Sequence, residues 1–216
     1  MGPERDKLFL EVAGKPVIAH TWQRFESTDC IDEVVMVVRD GQQEAFSALA
    51  VRFGFRKPFH IVKGGKERQD SVWNGLGAVS KQSEVVAIHD GARPCTSGDL
   101  IARMVSTARE TGAAVAAQRV TDTIKESKDG HIISGHPHRH LLWAVQTPQT
   151  FRIEVIRRAL TAIRNGDLVV TDDTAACELI GQAVTLVESS QPNPKVTLPS
   201  DLPYIRLLLE RETTAP

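Results

Sequence analysis

No apolar run in the 216-residue sequence approaches the roughly 20 residues that a membrane-spanning helix needs. The opening, Met1 to Asp6, carries no apolar signal stretch, so secretion is not expected. Cysteine is scarce. Cys30, Cys95 and Cys177 are far apart, odd in number and form no CxxC pair, which speaks against a disulfide framework and a zinc ribbon. Aromatic residues make up 5%, too few for platforms that stack single-stranded bases. Neither sign of charge dominates, with 26 Lys plus Arg against 27 Asp plus Glu. A duplex-binding domain carries a basic excess or stripe, so nucleic acid is not an expected partner. Internal repeats, low-complexity tracts and a convincing linker are also missing.

What remains is an ordinary globular composition, 41% hydrophobic and 25% charged. The length suits a single domain with a sizeable core. Apolar periodicity alternates between two and about 3.6 along the chain. Strands are expected at 33–38, 59–62, 85–88, 113–120 and 183–188. Helices are expected at 42–53, 68–79, 99–111, 152–164, 172–180 and 199–212. Strands separated by helices imply right-handed crossovers and a mostly parallel sheet, and the β-branched run 34–38 reads as a buried strand. The stretch 123–143 breaks this rhythm. Lys128-Asp129-Gly130 is a turn signal between short alternating segments, so a protruding hairpin or arm is expected there, a common dimer device.

Ligands of such sheets sit at the carboxyl ends of strands. Polar clusters fall at those ends: Gly64-Gly65-Lys66-Glu67-Arg68, His89-Asp90-Gly91-Ala92-Arg93-Pro94 and Thr121-Asp122-Thr123. Asp90 suits a metal or a ribose hydroxyl, and Arg93 can fork onto a phosphate. The same two residues equally make an ion pair that closes a loop. The glycine pair before a helix can receive an anion or a base edge, while Asp70 and Ser71 equally read as helix caps. Asp172 and Asp173 read as caps that complement a helix dipole. Lys195 by itself reads as solvated surface. His136, His138 and His140 alternate, yet no acid or cysteine supports a metal site there. No Gly-x-Ser-x-Gly elbow supports a hydrolase triad.

Taken in order, these segments resemble one family. They are Asp6-Lys7-Leu8-Phe9-Leu10, Gly14-Lys15-Pro16-Val17-Ile18, Gly64-Gly65-x-Glu67-Arg68-x-Asp70-Ser71-Val72 and His89-Asp90-Gly91-Ala92-Arg93-Pro94. Asp122-Thr123-Ile124-Lys125, Leu142-Trp143-x-x-Gln146-Thr147-Pro148-Gln149, Thr171-Asp172-Asp173 and Lys195-Val196-Thr197 follow. The pattern is similar to that of the 2-C-methyl-D-erythritol 4-phosphate cytidylyltransferases, and it runs from Met1 to about Leu208. The resemblance implies a Rossmann-like nucleotidyltransferase sandwich, an α/β fold with a mostly parallel sheet and a protruding β-arm, in a single domain over 1–216 with the arm about 123–143. It implies transfer of CMP from CTP to methylerythritol phosphate, with Mg²⁺ as the metal, by a cytoplasmic homodimer.

The resemblance also implies residue roles. Lys7 neutralises the triphosphate. Gly65 and Ser71 read cytosine, and Gly64 shapes their loop. Asp90 and Ala92 border the nucleotide sugar, with Asp90 at the metal. Arg93, Thr123 and Thr147 line the substrate pocket. Arg139 reaches the other subunit's site, and Lys195 orients the substrate phosphate. Gly91 stands where many relatives have alanine. The family opens with a strand and a glycine-rich loop whose arginine pairs with the lysine. Here the sequence starts at the methionine after them, so a shortened chain and an exposed pairing edge are expected. Two other readings stay open: a sister cytidylyltransferase for ribitol 5-phosphate, and a non-catalytic nucleotide-binding homologue.

Overall fold

Short β-branched runs and amphipathic segments alternate in the folded chain. A computed structural model describes residues 6–214. The opening residues Met1 to Arg5 lie outside the described residues. A tight antiparallel pair, β1 (Glu11–Val12) and β2 (Lys15–Pro16), leads into α1 (Val17–Glu26). Next come β3 (Val34–Val38), α2 (Gln43–Phe53), β4 (Phe59–Lys63), α3 (Arg68–Ala78) and β5 (Val85–Ile88). After these, α4 (Gly98–Thr111) leads to β6 (Ala113–Arg119), then β7 (Trp143–Arg152), α5 (Ile153–Gly166) and α6 (Asp173–Glu178). β8 (Thr185–Glu188) and α7 (Leu202–Thr214) complete the order.

Local chemistry explains the ends. The Ser97 hydroxyl accepts from Leu100 N–H and starts α4. Gly54 ends α2 at φ 68°, a left-handed conformation that glycine adopts without a Cβ penalty. α5 buries Val155, Ile156, Ala159, Leu160 and Ile163 along one stripe. Each fully buried Ile or Leu there contributes roughly 1.5–3 kcal/mol relative to exposure. That stripe packs on Phe151 of β7 and on Ala176 and Cys177 of α6. A second cluster joins Trp22 of α1 to Phe46 and Leu49 of α2 and to Phe55.

The strands pair in two blocks. β3 runs parallel to β4, with Val34 opposite Phe59 and Val38 opposite Lys63. The other block has the order β5-β7-β6-β8. β7 is antiparallel to both neighbours and β8 is parallel to β6, so β7 is the reversed strand of that block. The α/β class and the alternation of strands and helices match the sequence reading.

β7 and α1 were not legible from periodicity. α1 follows Pro16 directly and carries His20 and Thr21 within its buried stretch. β7 holds Gln146, Thr147, Gln149 and Thr150 in a row that shows no apolar alternation. The arm carries less regular pairing than a hairpin. One antiparallel bridge joins Glu126 to Gly135, and a 3-10 turn spans Arg139–Leu141.

Among the described residues, β3 pairs only with β4, and β5 only with β7. The two bare edges border a cavity of about 410 Å³, walled by β3, β5 and residues of α1 and α3. This corrects the expectation of a fully buried strand at 34–38. Val37 is 37% exposed although its neighbour Val38 is buried, because the open edge leaves one side of β3 uncovered. Cys30 lines the same cavity.

Candidate active site

The carboxyl ends of β3, β4 and β5 converge on one face of the chain. A second cavity of about 280 Å³ lies there, and Asp6, Lys7, Arg39, Asp90, Ala92 and Lys195 are among its walls. Lys7 opens a 3-10 turn, Lys7–Phe9, because the Asp6 carboxylate accepts from Leu8 N–H at 3.0 Å. Gln42 anchors Asp6 in turn, at 3.1 Å.

Asp90 is the hub. Its Oδ2 lies 2.9 Å from Lys195 Nζ and 3.4 Å from Arg93 Nε. Burial alone would raise the Asp90 pKa. Lys195, and after it Arg93, outweigh burial and hold the carboxyl below the ordinary carboxylate range. Arg93 also donates from Nη1 to the Asn193 carbonyl at 2.7 Å. Burial lowers its pKa and Asp90 opposes that. Val196 N–H donates to the Ala92 carbonyl at 2.8 Å, which ties the Lys195 segment to the Asp90 turn. Asn193 is buried and donates from Nδ2 to the Thr147 carbonyl at 2.8 Å. The ion pair expected between Asp90 and Arg93 is therefore present in the fold.

Gly91 lies close against α1. A Cβ there would lie 2.8 Å from Ile18 Cδ1, so an alanine would need Ile18 to shift.

The glycine pair lies just beyond β4. Gly65 N–H donates to Ser71 Oγ at 3.0 Å, and that hydroxyl donates to the Glu67 carbonyl. A Cβ on Gly65 would fall 2.2 Å from Asp70 Cβ, so only glycine fits. Asp70 accepts from Glu67 N–H and does cap the helix. Ser71 borders the larger cavity together with Arg68 and Asp90.

Asp172 caps α6 by accepting from Ala175 N–H at 2.9 Å. Asp173 does something else. It is 1% exposed and pairs with Arg68 Nη2 at 2.6 Å. Burial pushes its carboxyl pKa up against the pull of Arg68. Burial also works against the Arg68 charge, but Asp173 outweighs it and raises the guanidinium pKa. The sequence signal for this pair is only the motif residue Arg68; nothing local connects it to an acid 105 positions away.

The structure therefore brings Lys7, Asp90, Ala92, Arg93, Thr147 and Lys195 together, with Gly64, Gly65 and Ser71 on the adjoining rim. Thr123 and Arg139 lie on the exposed arm, where Arg139 Nη1 donates to the Thr121 carbonyl at 2.9 Å. His138 and His140 stand with ring centroids 5.7 Å apart, and His136 Nδ1 lies 2.8 Å from Lys125 Nζ. His89 and Asn193 are site residues to which sequence reading attached no role.

Chemically, one carboxylate is ringed by cations. Two unit charges 4 Å apart interact by about 1 kcal/mol in water but about 4 at an effective dielectric of 20. Such a pocket can neutralise a polyphosphate. Cys95 and Cys177 are poor nucleophiles, because burial pushes their thiols up to about 12 and about 11. Among the described residues no group of three metal-ligating side chains occurs. A single carboxylate still fits Mg²⁺, which keeps waters and takes its remaining oxygens from substrate phosphates.

A family model for 2-C-methyl-D-erythritol 4-phosphate cytidylyltransferase matches residues 1–211. The chain belongs to that family. A cytidylyltransferase of this name from Alkaliphilus oremlandii is 42% identical over 203 residues, covering 94% of this chain and 86% of the relative. One from Bacillus licheniformis is 39% identical over 212 residues, covering 98% and 91%. Among solved structures, the 4-diphosphocytidyl-2C-methyl-D-erythritol synthase of Anaerococcus prevotii superposes with a TM-score of 0.87 at 28% identity, over 94% of this chain and 93% of that one. The Thermus thermophilus cytidylyltransferase gives 0.81 at 31%, over 94% of each. Like other methylerythritol phosphate cytidylyltransferases, the chain is a nucleotidyltransferase with a Rossmann-like α/β fold. No helix among its described residues is long and apolar enough to cross a membrane.

Proposed function

We propose that the chain transfers CMP from CTP to 2-C-methyl-D-erythritol 4-phosphate, giving the CDP-alcohol and pyrophosphate. The observation that carries this reading is the Asp90–Lys195–Arg93 cluster beside Lys7, at the carboxyl ends of the strands. A phosphate oxygen of the alcohol phosphate attacks the α-phosphorus of CTP. The bond to the bridging oxygen breaks, and pyrophosphate leaves with the electron pair. Both reactants are anions, so the protein mainly positions them and offsets charge.

Lys7 faces the triphosphate. Gly65 and Ser71 offer polar backbone and hydroxyl groups to the cytosine edge, with Gly64 beside them. Asp90 and Ala92 border the ribose. The Lys195 side chain is 42% exposed, so its ammonium can swing from Asp90 to an arriving phosphate. Arg93 and Thr147 hold the polyol end, with Thr123 from the arm. Asp90 would hold Mg²⁺, which when bound supplies further positive charge beside the phosphates.

The arm exposes Ile132 (71%) and Ile133 (54%), which supports a homodimer in which Arg139 serves the partner's site. A small-molecule enzyme of this kind works in the cytoplasm.

The test is pyrophosphate release from CTP and Mg²⁺, with methylerythritol phosphate and ribitol 5-phosphate supplied separately. The chain and a version extended upstream by the gene's own codons are both assayed. Release with methylerythritol phosphate in either version is the expected result. Release with ribitol 5-phosphate alone moves the chain to the sister activity. No release from either folded version overturns the catalytic reading.

A further inference from the structure

The turn that carries Asp90 rests on a residue the reaction scheme does not use. Asp90 N–H donates to Thr147 Oγ1 at 3.0 Å. That hydroxyl lies 3.1 Å from His89 Nδ1. The other ring nitrogen, Nε2, lies 3.2 Å from the Arg93 carbonyl oxygen. A carbonyl has no proton to give, so Nε2 carries the hydrogen and donates it. Nδ1 makes the second hydrogen bond of the ring, with the Thr147 hydroxyl. The lone pairs of the same hydroxyl receive Asp90 N–H. Arg93 N–H closes the turn on the Asp90 carbonyl at 3.0 Å. Each group in this relay has a partner.

Two further contacts hold the arrangement. The Phe25 ring packs on the imidazole with centroids 5.0 Å apart. Thr21 Oγ1 donates to the Gly91 carbonyl at 2.8 Å, pinning the outer side of the turn to α1.

We propose that His89 is a positioning residue: an Nε2-protonated imidazole clamped between Thr147 and the Arg93 carbonyl, which fixes the turn from which Asp90 and Arg93 project. It touches no reactant. It acts by keeping the Asp90 carboxylate where Lys195 and Arg93 meet it. The relay stands on the protein's own hydrogen bonds, so it does not depend on which alcohol phosphate is the substrate.

The first arm of the test is spectroscopic and needs no turnover. The chain is labelled with ¹⁵N-histidine, and long-range ¹H–¹⁵N spectra are recorded near neutral pH. The chain has seven histidines, and His89→Phe identifies the signal that belongs to His89. The expected pattern has a proton fixed on Nε2. A ring protonated on Nδ1 alone, or one that averages between the two tautomers, overturns the proposal.

The second arm is rescue. A glutamine at this position keeps a side-chain N–H for the Arg93 carbonyl, whereas phenylalanine keeps only bulk. His89→Gln should retain the slowly exchanging Arg93 Nε–H signal and most of kcat. His89→Phe should lose that signal and lower kcat on the order of tenfold or more, with KM for CTP within about twofold. If phenylalanine and glutamine behave alike in both readouts, His89 serves packing alone and the positioning role is wrong.

Discussion

Replacing Arg68 by methionine tests how the glycine-rich rim is held to α6. The substitution keeps most of the side-chain length and leaves Asp173 buried at 1% exposure without its cation. Breaking a buried ion pair from one side costs about 3–5 kcal/mol. Arg68 is itself 39% exposed, so water can reach the remaining carboxylate, and the low end, about 3 kcal/mol, is expected. For a chain of this size that lowers Tm by about 6–12 °C. The loss depends on pH. Burial already raises the Asp173 pKa above its ordinary value, and removing Arg68 leaves burial unopposed. A carboxyl whose folded pKa exceeds its unfolded pKa binds its proton more tightly when folded. Stability therefore falls as pH rises through that interval. The deficit of Arg68→Met should be smallest near about pH 4 and full near neutrality. Adding Asp173→Asn should restore most of it, because the uncompensated charge is gone. Urea or thermal unfolding of the wild type, both single variants and the double variant across pH supplies the measurement. A deficit that is flat with pH, or a double variant no more stable than Arg68→Met, would refute the reasoning.

Two further outcomes follow from the rim and from the split sheet. Gly65→Ala drives a Cβ into Asp70 and disturbs the Gly65 N–H to Ser71 bond. A loss of at least about 1 kcal/mol at that rim should raise KM for CTP at least about fivefold and leave KM for methylerythritol phosphate nearly unchanged. An equal rise in both constants would dissociate the rim from the nucleotide base. Hydrogen exchange should be faster by at least about tenfold along β3 and β5 than along β6, which is paired on both sides. Equal protection would mean that the edges bordering the cavity are covered in solution.

The alternation of β-branched runs with amphipathic segments was enough to place β3, β4, β5, β6 and the helices α2 to α5 within a residue or two. The motif residues Asp90, Arg93 and Lys195, grouped only by the resemblance, do meet in the fold. Periodicity missed β7 because a strand at the middle of the sheet presents Thr147 and Gln149 to polar partners instead of to a core. Thr147 meets Asp90, and Gln149 meets Asp172 and the Asp173 N–H. It missed α1 because the polar His20 and Thr21 interrupt the apolar stretch that the helix buries. It took Asp172 and Asp173 for equivalent caps because capping is a local property and an ion pair to Arg68 is not.

Local order along the chain sets the element types, the ends of the helices and the residue chemistry at each strand terminus, since propensity, capping and turn formation act over a few residues. Where β7 inserts, which acid Arg68 neutralises, how Lys195 comes to share Asp90 with Arg93, and which proton His89 keeps depend on groups tens of residues apart. Those contacts exist only after the layers have packed, and tertiary structure alone decided them.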